Sequence, residues 1–373
     1  MIAESSERQQ VAVQMGNEEL SLSFPIDGLQ GALVFLSGAA MGRLSCVSPQ
    51  WAAVISSASD AWKTAFVREF GPLIWEIPSD GWREEYINFY RIAYGQIDVQ
   101  DVHSPAAVTS VALGDAGIGF IGTVVGHIAG WDMESSRFTK QLRGHPLRVS
   151  ALQVDGNTLM SSSHDCTVKV WNIDLGQCLG TLKGHTMPVL CFMFEGNVVA
   201  SGSRDCTIRI WDYPSCECLH TLSGHSDHVT GLHLKGGSIV SGSLDNTVKI
   251  WDWSNQVCMR SLEVDAGGFT CVGRCGDAVV AGTMAGHLMI LMENGEQEAR
   301  ELNGQDGPIW CLHAEGTKIV TGSASNSINV WDVRSNSCLR TLNGHDGRVL
   351  SLQVDGSKML SGSWDFCMKI WNF

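Results

Sequence analysis

The sequence predicts two parts, a small all-α domain up to about residue 95 and an all-β array of seven stacked four-stranded units over residues 96–373. Three observations predict them. Trp131, Trp171, Trp211, Trp251, Trp331 and Trp371 stand 40 residues or a multiple of 40 apart, and Leu291 fills the vacant position; a fixed period of that length marks a repeat architecture. Within each period apolar residues alternate, as in Val168-Lys169-Val170-Trp171 and Ile208-Arg209-Ile210-Trp211, the pattern of short strands. Ahead of residue 95 the apolar positions from Phe35 to Phe70 follow helical spacing and have no 40-residue echo.

The best-formed units read Gly-His, an alternating apolar segment, Ser-Gly-Ser-x-Asp, a Trp-ended strand and a last apolar stretch such as Cys178-Leu179-Gly180-Thr181-Leu182. Each supplies four strands. A lone sheet of that size cannot bury both faces, so the units must stack on one another. Composition agrees: 41 glycines and 44% hydrophobic residues in 373 are too apolar for disorder and too glycine-rich for a helical bundle.

Other classes are excluded in turn. The formal charge of −14, from 25 Lys+Arg against 39 Asp+Glu, offers no bulk positive field to nucleic acid. No run of about 18 apolar residues exists for a membrane span, and Met1 to Leu20 lack the basic and apolar regions of a signal peptide. Thirteen cysteines without such a signal point to reduced thiols in the cytoplasm or nucleus. Cys216 and Cys218 are too close together for zinc-knuckle spacing, so neither metal nor cofactor is expected. Gly117 to Gly122 match GxGxxG formally, but no helix follows to present its N-terminus to a phosphate. Cys178, Cys218, Cys258 and Cys338 share the repeat period and are expected to be small buried apolar residues.

His145, His185, His225 and His345, together with Asp165, Asp205, Asp245 and Asp365, keep the same period. A catalytic Ser-His-Asp set is needed once, whereas this one recurs in four units, so no enzyme is expected. With these residues in place, 96–373 closely resembles the WD-repeat family. The resemblance implies a seven-bladed β-propeller in which His145, Asp165 and Trp171, with a Ser at 161 or 163, form a structural hydrogen-bond network. The last unit lacks a final strand of its own, and counting back six periods from Leu339-Arg340-Thr341-Leu342 lands on Val99-Gln100-Asp101-Val102. That early segment is expected to complete the last blade and close the ring. Units one, five and six, with Val125, Ala285 and Ser325 at the turn Asp position, are expected to be softer.

The N-terminal part divides into an unstructured segment (1–21), a helical domain (22–66) and a helical linker (67–95). Phe24, Pro25, Ile26, Leu29, Leu33, Leu36, Met41, Leu44, Val47 and Trp51 can be laid without a gap on the F-box motif, which residues 22–66 resemble. Pro25 suits a helix start, and Leu29, Leu33 and Leu36 share a helical face. In the linker, Trp82, Tyr86, Phe89 and Tyr90 fall on one face of a helix. An F-box ahead of WD repeats implies a substrate-recognition subunit of an SCF-type cullin-RING ubiquitin ligase, binding a Skp-type adaptor, and through it a cullin scaffold, by the residues just named. The propeller would bind the protein to be modified, and the chain would be a monomer within the larger complex. The alternative is a WD-repeat interaction scaffold with no ligase role.

By the same resemblance, the target is expected on the face formed by the loops between blades and the turns before the third strands. Arg148, Ser150, His164, Leu190, Arg204, His228, Leu244, Trp310, Arg348 and Trp364 stand there. Arg grips carboxylate or phosphate bidentately and Trp is a frequent anchor, so the expected partner is an acidic or phosphorylated segment with an apolar residue.

Overall fold

The computed structural model describes residues 9–15, 18–24 and 97–373, the last except for 115–116, 136, 266, 276–277, 293–299, 303–305, 316–317, 334 and 356–357. The chain divides into two units, Met1–Tyr90 and Arg91–Phe373.

In the second unit, seven antiparallel four-stranded sheets follow one another as blades. Blade 1 holds β4 (Val108–Leu113), β5 (Ile118–Thr123), β6 (Ile128–Asp132) and β7 (Arg137–Leu142). Blade 2 holds β8 (Val149–Asp155), β9 (Thr158–Ser163), β10 (Thr167–Asn172) and β11 (Gln177–Lys183). Four more blades repeat the order: β12–β15 from Val189 to Ser223, β16–β19 from Val229 to Glu263, β20–β23 from Phe269 to Leu302, and β24–β27 from Ile309 to Leu342. Blade 7 joins β28 (Val349–Asp355), β29 (Lys358–Ser363) and β30 (Cys367–Asn372) to β3 (Asp98–His103). This is the expected all-β, seven-bladed propeller, closed as counted: Val99 pairs with Trp371 and Asp101 with Lys369.

Why the blades stack follows from where their apolar residues go. Ala112 and Phe120 of blade 1 pack with Val149, Leu152, Leu159 and Trp171 of blade 2 in one cluster, and Val102, Leu360 and Ile370 of blade 7 pack with Val108 and Ile121 of blade 1 in another. Each core is shared between neighbours. At about 1.5–3 kcal/mol for each large apolar side chain fully buried, a blade parted from its neighbour would lose most of its stabilisation.

The cysteine expectation is corrected. In blade 2 the pairing slips between Val170 and Trp171, so that Trp171 faces Cys178, Val170 faces Gly180, and Leu179 is the extra residue of a bulge. The last strand of a blade is its outer edge, so Cys178, Cys218 and Cys258 are exposed and Cys338 is half-buried. Their thiols donate to a carbonyl two residues on, as from Cys178 Sγ to Gly180 O at 3.2 Å. A shared period fixes the strand position but does not reveal which strand has no neighbour beyond it.

The first unit is described over one antiparallel hairpin, β1 (Gln9–Met15) paired with β2 (Glu18–Phe24). This corrects the unstructured 1–21 segment and the all-α character expected of the N-terminal part. The sequence carries the cause: Val11, Val13 and Met15 alternate, as do Leu20, Leu22 and Phe24, around Gly16-Asn17, a strong hairpin pattern. Phe24 is the last residue of β2. The other adaptor positions, Pro25, Ile26, Leu29, Leu33, Leu36, Met41, Leu44, Val47 and Trp51, lie outside the described residues, as do Trp82, Tyr86, Phe89 and Tyr90.

Candidate functional site

The face that carries the candidate residues is held in shape by a hydrogen-bond chain in four blades. In blade 2, Trp171 Nε1 donates to Ser161 Oγ (2.8 Å), Ser161 Oγ lies 2.8 Å from His145 Nε2, and His145 Nδ1 lies 2.6 Å from Asp165 Oδ2. A carboxylate only accepts, so Nδ1 carries the proton and Nε2 accepts from the serine. Thr167 then donates its N–H (3.0 Å) and hydroxyl (2.6 Å) to Asp165 Oδ1. The Trp, Ser, His and Asp of blades 3, 4 and 7 repeat the chain around His185, His225 and His345. Of the two serines offered by the sequence, Ser161 is in the chain, while Ser163 accepts from Asp165 N and donates to Leu147 O.

Burial, stronger than the attraction of Asp205, pushes the His185 imidazole below its ordinary value. His225 and His345 shift the same way for the same reason. Burial would raise the Asp245 carboxyl, but hydrogen bonds from Thr247, His225 and the Ser226 backbone outweigh it and hold Asp245 at about 2. Each serine hydroxyl is committed between a Trp and a His, so the recurring set is structural and not a triad awaiting substrate.

A second repeated bond builds the face. The residue before each turn Asp position donates its N–H to the carbonyl just ahead of the first strand: Val124 to Ala107, His164 to Arg148, Arg204 to Pro188, Leu244 to His228, Met284 to Gly268, Ala324 to Pro308 and Trp364 to Arg348, at 2.8–3.1 Å. All seven blades share it, so these pairs form a collar on one face of the ring. The candidates His164 with Arg148, Leu244 with His228, and Trp364 with Arg348 are thus direct partners, and Arg204 belongs to the same set. Ser150, Leu190 and Trp310 stand one residue into their first strands.

Arg148, His164 and Arg204 form one electrostatic cluster. Burial, then the charges of Arg148 and Arg204, push the His164 imidazole down to about 4, and burial followed by Arg204 lowers the Arg148 guanidinium. Arg204 and Arg348 are exposed, and Arg148 is half-buried. His228 stands beside a carboxylate, its backbone N–H donating to Asp227 Oδ1 (2.7 Å) and its ring Nε2 lying 3.8 Å from the same oxygen.

Ser150 also departs from its counterparts. Thr109 and Thr230 donate across the blade boundary to Val149 O and Phe269 O, each at 2.6 Å, and Thr270 reaches Ile309 O. Among the described residues the buried Ser150 hydroxyl has no hydrogen-bond partner, and neither do Arg148 Nε and Trp310 Nε1.

Sequence reasoning missed the apolar residues of this face. Leu147, Met187 and Phe366 are about half exposed, at 52%, 46% and 49%. Leu147 and Met187 stand two residues after the repeated His185-type histidine, and that shared offset was the available signal.

Five segments, 136–172, 176–212, 216–252, 296–332 and 336–372, match the WD domain, G-beta repeat. The propeller is built of WD repeats. Each matched segment starts at the outer strand of one blade and ends with the third strand of the next. The third strands outside those segments are β6 of blade 1 and β22 (Leu288–Met292) of blade 5, where Val125 and Ala285 replace the turn Asp. No curated protein matches the chain. A WD-repeat propeller suggests a role in protein interaction.

Proposed function

We propose that the collar face captures an acidic protein segment and that the chain is the substrate-recognition subunit of an SCF-type cullin-RING ubiquitin ligase. The observation that carries the first half is the convergence of Arg148, His164 and Arg204 on one face, with Arg204 and Arg348 exposed there. Acceptor-rich carboxylates or phosphates match that set. The second half is supported by the order of F-box-like residues from Phe24 to Trp51 ahead of a WD-repeat propeller. A Skp-type adaptor would hold that end, and the conjugating enzyme would supply the chemistry. This chain would be non-enzymatic, contributing proximity by keeping target lysines near the enzyme, as a monomer within the complex in the cytoplasm or nucleus.

Co-purification tests both halves. The full chain should pull down the adaptor, and Leu36→Ala with Trp51→Ala should abolish this while the propeller keeps its circular dichroism. Charge reversal at the exposed Arg204 and Arg348 should abolish capture of a crosslinked substrate and leave the adaptor bound. Capture of partners without adaptor would leave the interaction scaffold as the function.

A further inference from the structure

Blade 7 carries two exposed aromatic residues around its turn aspartate, Trp364 at 47% and Phe366 at 49%. Phe366 has φ 66°. The equivalent residues are Gly126, Cys166, Cys206, Asn246, Gly286 and Asn326, all at positive φ. Glycine takes this conformation freely and Asn tolerates it, whereas a bulky aromatic there is an outlier. Phe366 leaves about half of its surface exposed all the same. Trp364 likewise replaces Val124, His164, Arg204, Leu244, Met284 and Ala324 of the other blades.

The turn is also fixed. Asp365 accepts from His345 Nδ1 (2.7 Å), Asp346 N (3.0 Å) and Cys367 N (3.0 Å), and its own N–H donates to Ser363 Oγ (3.1 Å). Phe366 O accepts from Ser104 N at 2.8 Å. Where blades 2 and 3 place Leu147 and Met187, blade 7 has Gly347, at which a Cβ would come within 2.7 Å of Asp365 N. No side chain can stand there to cover the aromatic pair. A strained, exposed aromatic on an immobile turn has no folding role to explain it.

We propose that Trp364 and Phe366 are the apolar anchor of the collar, and that the captured segment is an acidic protein segment with a large apolar residue, such as phenylalanine, next to its carboxylates. This rests on the acidic-segment reading above and gives it a direction. The apolar residue seats on blade 7, exposed Arg348, whose carbonyl accepts from Trp364 N, takes the nearest carboxylate, and Arg204 and Arg148 take those further along. Charge supports this occupant, since these arginines concentrate positive charge on a chain of −14. Aromatic anchors held rigidly lose little entropy on binding.

The test is fluorescence anisotropy with the full chain and labelled synthetic peptides: glutamates followed by phenylalanine, the same peptide with alanine for phenylalanine, and one with glutamine for glutamate. Wild type should bind the phenylalanine peptide about tenfold or more tighter than the alanine peptide. Phe366→Asn and Trp364→Ala should each erase that preference while leaving salt-sensitive, glutamate-dependent binding, and Phe366→Asn should raise Tm because it relieves the left-handed turn. A preference for phenylalanine that survives both variants overturns the anchor, as does a fall in Tm for Phe366→Asn. Glutamate-dependent binding indifferent to phenylalanine in wild type sinks the anchor alone. No advantage of glutamate over glutamine sinks the acidic-segment reading with it.

Discussion

One position in each blade decides how closely neighbouring blades approach. In blade 3, Gly202 faces Cys191, and a Cβ on it would lie 2.6 Å from Val229 Cγ1 and 2.7 Å from Cys191 Sγ. Gly122, Gly242, Gly282, Gly322 and Gly362 are equally crowded. Blade 2 alone holds a serine there, Ser162, with Ala151 facing it, and its buried hydroxyl has no partner among the described residues. Gly202→Ala should therefore cost about 1–3 kcal/mol by overpacking, while Ser162→Ala should be neutral or stabilise by up to about 1 kcal/mol, because it removes an unsatisfied group. Urea unfolding of the two variants checks this, and equal losses would refute it. Ser-Ser-Ser against Ser-Gly-Ser was legible in the sequence. The conformation of Phe366 was not, since nothing in a residue's identity says that its turn requires positive φ.

The blades that lack the His–Asp chain close their turns by other bonds. In blade 6, Ser325 Oγ lies 2.5 Å from Ser323 Oγ and 3.0 Å from Ser327 Oγ, and Trp331 Nε1 donates to Thr321 Oγ1 at 2.8 Å. In blades 1 and 5, Thr123 and Thr283 accept from the backbones of His127 and His287. Gly126 and Gly286 sit between them at positive φ, with the next blade's backbone so close that a Cβ on Gly126 would lie 2.3 Å from His145 O. The Gly-His pairs at 126 and 286, out of register with the repeat, are thus turn formers. Sequence reading saw which residues were missing from these units but not what replaced them, because hydroxyls two positions apart look unremarkable until a turn brings them together. Asp205→Ala should cost about 1–3 kcal/mol and Ser325→Ala about 1 kcal/mol, the difference being a charge-assisted bond against neutral ones. Differential scanning calorimetry checks the order, and a silent Ser325→Ala would show that the hydroxyl cluster contributes nothing.

Across the whole propeller the buried imidazoles make stability depend on pH. His185, His225 and His345 have lowered folded-state values, chiefly through burial, as does His164 at about 4. The unfolded chain then binds protons that the folded chain refuses, so the contribution is present above the ordinary imidazole value of about 6.5 and is lost as pH falls below it. A second loss should begin below about pH 4, the ordinary aspartate range, because Asp165, Asp205, Asp245 and Asp365 are also held low. Urea midpoints measured across this range should fall in both windows. A midpoint unchanged down to about pH 5 would contradict the first.

The ring's architecture was legible because periodicity survives local substitution: Leu291 stands in for Trp and the register continues. Its seam is bridged by an ion pair to the outer strand, as blade 5 is by His287 and Glu301. Lys369 Nζ meets Asp101 Oδ1 at 2.5 Å across 268 residues of sequence, where the corresponding Lys169 and Lys249 meet neutral Thr181 and Ser261. Joining so distant a pair costs closure entropy and time. During synthesis β3 leaves the ribosome before every other strand of the ring, yet its partner β30 is made last. Until then its edge is open to any strand in reach, and the charge at Asp101, with the apolar Val102 beside it, favours the right partner over the wrong ones. The propeller is therefore a structure whose first piece waits, unpaired, for its last.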